Sequence, residues 1–215
     1  MKSQQSGFTL VEIAIVLVII GLLLGGILKG QELINSAKVK NLANDFRVIP
    51  TYIYAYQDKF KALPGDDPAA QTHLPTGAAS DNGNGNGVID GAWNSTTATD
   101  ESFMFWRHVR LANLAAGPTT LADPEYVPKN AVSGILGVSS TTAAQIHITG
   151  MTGTYQVCSK GILGRFAKQL DIQMDDGNTA TGSMRAVLDT AALGTAAVAT
   201  AAIDEAAAYT VCMTF

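Results

Sequence analysis

The run Phe8–Leu28 (FTLVEIAIVLVIIGLLLGGIL) is almost wholly apolar. As a helix it reaches about 31 Å, enough to cross the hydrocarbon core of a bilayer. A secretory signal peptide has a shorter apolar region followed by a small-x-small cleavage site, and Gly25 to Gln31 offers none. The run therefore reads as a membrane-inserted helix. The polar segment before it, MKSQQSG, carries one lysine, which weakly favours an N-terminus on the cytoplasmic side with everything after Lys29 exported.

Glu12 is the informative residue in this run. A carboxylate at the centre of an apolar span costs about 2.5 to 3.5 kcal/mol on insertion scales, so it calls for a partner, a function, or a position that reaches the headgroups.

The order Gly7-Phe8-Thr9-Leu10-Val11-Glu12, followed directly by the apolar stretch, resembles the processing site of type IV prepilins and type II secretion pseudopilins. The resemblance implies cleavage between Gly7 and Phe8 by a prepilin peptidase, a membrane aspartyl enzyme, and N-methylation of Phe8. It also implies that Glu12 pairs with the N-terminal amine of a neighbouring subunit. An amine and a carboxylate both placed in lipid strongly prefer each other to separation. The partners it implies are copies of the chain or other pilins, the peptidase, the inner-membrane assembly machinery, and lipid before assembly. The expected location is the bacterial inner membrane with a periplasmic domain, then a pilus at the cell surface or a periplasmic filament. Gly21, Gly25, Gly26 and Gly30 weaken the helix by up to about 1 kcal/mol each against alanine. They suit either local unwinding or close packing of helices.

Beyond Lys29 the pattern becomes amphipathic. Val39, Leu42, Phe46, Ile49, Ile53, Tyr56, Phe60 and Leu63 recur in steps of three and four, with Lys40, Asp45, Arg47 and Asp58 opposite. Pro50 predicts a bend in this helix, and Leu63-Pro64-Gly65-Asp66-Asp67-Pro68 its end. The stripe either dimerises as a coiled coil or lies on the protein's own sheet; the second fits the resemblance.

The expected organisation is a leader peptide over 1–7, a transmembrane and polymerisation segment over 8–28, the amphipathic half of the helix over 29–63, and an exported domain over 64–215. In that domain a helix is expected over Asp100–Ala115 and another over Gly161–Gln173. Strands are expected over Gly134–Val138, Gln145–Thr149, Thr154–Ser159, Ser183–Leu188 and Ala208–Phe215. The fold class is α+β, a long N-terminal helix packed on an antiparallel sheet in the pilin manner. Cys158 and Cys212 are the two cysteines, and beyond a membrane segment they suit a disulfide. Asp189–Ala207 reads as a surface excursion inside that loop.

Signals for chemistry are sparse. His73, His108 and His147 have no ligand-like spacing, and no nucleophile-elbow, Cys-x-x-Cys or phosphate-loop pattern occurs, so no enzyme activity is expected. A net charge of −4 gives no broad reason to bind nucleic acid. One metal signal stands out. Asn82, Asn84, Asn86, Gly87, Ile89 and Asp90 match positions of an EF-hand-like calcium loop, with Asp66, Asp67 or Asp81 as further candidate ligands, though Trp93 occupies the place of the bidentate glutamate. The alternative is a glycine-asparagine turn that needs no ion. A second acidic turn, Asp175-Asp176-Gly177-Asn178, reads as a helix-to-strand connection, with calcium as its alternative. The reading is a filament subunit. A type II secretion pseudopilin and a signal-anchored domain that never polymerises are the alternatives.

Overall fold

Helix α1 runs from Leu10 to Phe60, through the four glycines and through Pro50 without a break. It belongs to a computed structural model that describes residues 9–75 and 77–215. The chain divides into two units, Met1–Lys38 and Val39–Phe215. In the first unit the described residues are helical from Leu10, and the apolar window long enough to cross a membrane has no buried residue. Apolar side chains left in water at that density would not be stable, which is the physical sense in which this segment belongs in lipid or against other helices.

In the second unit the three-four stripe is the core face of α1. Val39, Leu42, Phe46, Ile49, Ile53 and Tyr56 are all buried. All but Tyr56 join one cluster with Val138, Val157 and Val211 of the sheet and Phe105, Val109, Phe166 and Leu170 of two shorter helices. The stripe is therefore satisfied within the domain and is not left free for a coiled coil. Truncating a side chain such as Phe46 to alanine would cost about 3 to 5 kcal/mol. The helix stops at Phe60 because Lys61 adopts a left-handed conformation (φ 57°) while its N–H still bonds the Gln57 carbonyl. This comes before the Leu63–Pro68 breakers, and Leu63 is buried from the following loop.

The loop after α1 holds a short helix, α2 (Ala70–His73), and leads to α3 (Glu101–Leu111). Four strands follow: β1 (Leu136–Ser140), β2 (Tyr155–Leu163), β3 (Met184–Leu188) and β4 (Ala208–Thr214), with α4 (Gly164–Met174) between β2 and β3. The sheet order is β1-β2-β4-β3 and every pair is antiparallel. This is the expected α+β, pilin-like layout. Cys158 and Cys212 are directly opposite across β2 and β4, fully buried, and joined in a disulfide.

Two expectations need correction. Gln145–Thr149 is not a strand; apart from an isolated bridge from Ile148 to Thr195 it is a turn. The reason is Gln156, buried in β2, whose side-chain amide donates to the Gln145 carbonyl (2.7 Å) while its Oε1 accepts the His147 N–H (3.0 Å). Backbone groups held by a side chain are not available to a ladder. The helix expected from Gly161 begins three residues later, because β2 extends past a bulge between Ser159 and Ile162 and Gly164 opens α4.

Candidate functional site

At the head of α1, Thr9 precedes the first helical residue and exchanges hydrogen bonds with Glu12. The Thr9 N–H and hydroxyl both donate to Glu12 Oε2, at 2.8 and 2.7 Å, and the Glu12 N–H donates to Thr9 Oγ1 at 3.3 Å. This reciprocal pair is a capping box, which satisfies donors that the first turn of a helix leaves open. Glu12 Oε1 takes no hydrogen bond among the described residues. The site is thus a solvent-facing carboxylate at the positive end of a helix dipole, one oxygen committed to the helix start and one oxygen open, within an exposed apolar face. Such a group can accept an ammonium from outside its own chain. Gly7 and Phe8, the expected cleavage site and methylated residue, lie outside the described residues.

Residues 2–28 match the family described as the prokaryotic N-terminal methylation motif. This chain carries the prepilin and pseudopilin signature. Comparison with curated proteins and with solved structures returned no match. The matched stretch takes in Thr9, Glu12 and the exposed apolar part of α1 up to Leu28. The signature goes in general with a membrane-anchored precursor, processing by a prepilin peptidase and assembly into filaments, the work of a structural subunit.

The second candidate in this prepilin-type chain is the Asn/Gly loop. Of the four residues with calcium-like spacing, the fold brings Asn84, Asn86 and Asp90 together. Asp90 Oδ2 accepts the side-chain amides of Asn84 (3.0 Å) and Asn86 (2.9 Å), and Oδ1 accepts that of Gln145 (2.9 Å). Asn82 turns away, its Oδ1 accepting the Gln71 N–H at 2.9 Å. Asn84 and Asn86 each cap the backbone two residues on, at Asn86 and Val88. A cation on Asp90 would have to displace amide donors from it, Asn84 and Asn86 at Oδ2 or Gln145 at Oδ1.

What organises the loop is Asp66, expected as a helping ligand and found instead as the acceptor of the loop's own amides. Buried at 3% exposure, its Oδ1 accepts the amides of Gly85 (2.6 Å) and Asn86 (3.0 Å), and its Oδ2 that of Gly87 (2.7 Å). Three successive amides converging on one carboxylate form a nest. The glycines permit it: Gly85 and Gly87 have φ of +73° and +81°, and a Cβ on Gly83 would run into the Asp66 backbone. Glu101, at the start of α3, closes the other side by accepting the Asn84 and Asp90 amides, and burial pushes its carboxyl above the usual range.

The histidines remain apart. His108 is buried and fixed as the neutral Nε2–H tautomer, accepting the Gly65 N–H at Nδ1 (2.9 Å) and donating from Nε2 to the Asp81 carbonyl (2.8 Å); burial lowers its pKa. His73 lies 2.7 Å from Asp67, which also accepts the Tyr56 hydroxyl at 2.8 Å. His147 packs edge-on against Trp93.

Proposed function

We propose that this chain is the structural subunit of a type IV pilus-like filament. It is made as an inner-membrane precursor, cut after Gly7, methylated on Phe8, and assembled through its N-terminal helix. The observation that carries the reading is the methylation signature over residues 2–28, on a segment whose described apolar side chains are all exposed. Before assembly lipid covers that surface; in the filament other copies of the helix do. The domain beyond it stands in the periplasm and then at the cell surface, and the disulfide agrees with an oxidising compartment.

In this reading Glu12 of the incoming subunit accepts the amine of Phe8 on its neighbour. A subunit lacking the carboxylate would leave that amine buried and unpaired, a penalty of several kcal/mol. Because the contact is between chains, Glu12→Ala should still enter the membrane and still be cut after Gly7, but should be excluded from filaments. Comparing membrane-fraction protein with sheared surface filaments tests this. Normal incorporation of Glu12→Ala would remove the intersubunit pair from the account.

A further inference from the structure

Where α4 ends, Asp171, Asp175 and Asp176 come together, with one carboxylate oxygen of each within 4.8 Å of the other two. Three like charges at this spacing repel strongly, and they sit at the C-terminus of a helix, where the dipole adds negative charge. Among the described residues no Lys, Arg or His nitrogen forms an ion pair with any of them. Arg185 lies on the Asp176 side, but its guanidinium donates to the carbonyls of Gly182 (3.3 Å) and Thr149 (3.2 Å).

The decisive feature is Asp171. It is 1% exposed, and both its oxygens are buried without a hydrogen-bond partner among the described residues. The Gly177 and Asn178 amides lie near it without reaching hydrogen-bonding geometry. A buried carboxylate without a hydrogen-bond partner is among the costliest groups a domain can hold, and such groups are paired or coordinate metals. Its two companions are held in place. Asp175 accepts the Ser183 hydroxyl (3.2 Å) and the Met184 N–H (2.7 Å), and Asp176 accepts the Asn178 N–H (2.8 Å) and the Thr181 hydroxyl (2.6 Å). Each still has lone pairs to offer, since a carboxylate presents about four.

We propose that Asp171, Asp175 and Asp176 bind a calcium ion that fixes the connection between α4 and β3. An all-oxygen set selects a hard cation. Oxygens bound to one calcium at about 2.3 to 2.6 Å stand up to about 5 Å apart, a limit the three carboxylate oxygens, within 4.8 Å of one another, respect. Water completes the shell. Three protein ligands at the edge of a domain predict an affinity in the weak range of extracellular modules, about 10⁻⁴ to 10⁻³ M.

The test uses the full chain in detergent micelles, stripped with a chelator and titrated with calcium chloride by calorimetry, with thermal unfolding as the second readout. The expected result is one binding event and a Tm raised by several degrees at about 10 mM calcium. Asp176→Asn, at the exposed end of the cluster, should lose both effects and yet melt no lower than wild type without calcium, because repulsion is relieved. Asp171→Asn should behave alike if it folds. Asp90→Ala is the control for the Asn/Gly loop and should keep the calcium response. No calcium response in wild type would overturn the proposal. So would a response that survives Asp176→Asn, or one lost only in Asp90→Ala.

Discussion

Glu12 Oε2 accepts both the backbone N–H and the hydroxyl of Thr9, so the carboxylate that stands in the apolar span also closes the start of its own helix. In the proposed reading this residue has two separable jobs, an internal one that needs hydrogen-bonding oxygen and an external one that needs negative charge. Glutamine can serve in a capping box but cannot neutralise an amine. Glu12→Gln is therefore expected to keep the helix start, membrane insertion and cleavage, and to fail in filament assembly, as is expected of Glu12→Ala. Thr9→Val should show the reverse pattern, a frayed first turn with assembly retained. Sheared-filament yield against membrane-fraction yield separates the two; a Glu12→Gln subunit that assembles normally would assign Glu12 to capping alone.

The disulfide joins residues that are 54 apart in sequence and directly paired across β2 and β4. The chain-entropy estimate for a loop of that length is about 4 kcal/mol. Cys212→Ser should lower the unfolding free energy by about 2 to 5 kcal/mol. Chemical denaturation with and without reductant measures it. Equal midpoints for the oxidised and reduced protein would show that the bond contributes nothing to stability.

Asp66 is expected to be the residue on which the loop between α2 and α3 depends. Asp66→Ala leaves the amides of Gly85, Asn86 and Gly87 without their acceptor, at a cost of about 2 to 5 kcal/mol. Hydrogen exchange should quicken at residues 83–90 before it does in the sheet. Unchanged protection of those amides would mean that the glycine turn holds itself.

Asp45 gives a pH dependence of known sign. It lies partly buried on α1 beside Tyr52 and Arg110 around a cavity of about 180 Å³, and burial raises its carboxyl to about 6. Between the unfolded value near 4 and the folded value near 6 the native state holds more protons, so stability falls as pH rises through this window. Because the group keeps contact with water, the loss is about 1 kcal/mol, well short of the full linkage value. Asp45→Asn should therefore raise Tm at pH 7, change little at pH 4, and flatten the slope between them. A variant less stable than wild type at pH 7 would mean that the ionised carboxylate is favourable in the fold.

The residues that sequence reasoning placed well are those whose partners are periodic or covalent. The stripe from Val39 to Tyr56 was readable because helical geometry repeats it, and Cys158 with Cys212 because only two cysteines exist. Thr9-x-x-Glu12 before an apolar run is itself a capping-box pattern, overlaid in the sequence by the methylation motif that spans the same residues. Asp171 was also within reach. It follows Leu170 and stands four residues after Ala167, on the inward side of α4, where an aspartate calls for a partner. Asp66 was legible as a neighbour of the Asn/Gly loop but not as the acceptor of its amides, because those donors lie 19 to 21 residues away across a loop whose path no periodicity records. The turn at Gln145–Thr149 looked like a strand for a related reason: its backbone is held by the side chain of Gln156, which leaves no trace in the alternation of residues.

The central claim is that this chain is a prepilin, and its most direct test is the mass of its mature N-terminus. Protein recovered from cells with an active prepilin peptidase should begin at Phe8 and carry one added methyl group on that amine. The Gly7-Phe8 junction and the signature over residues 2–28 both lead to this expectation. Protein from the same cells that still begins at Met1, with Phe8 internal and unmodified, would contradict it.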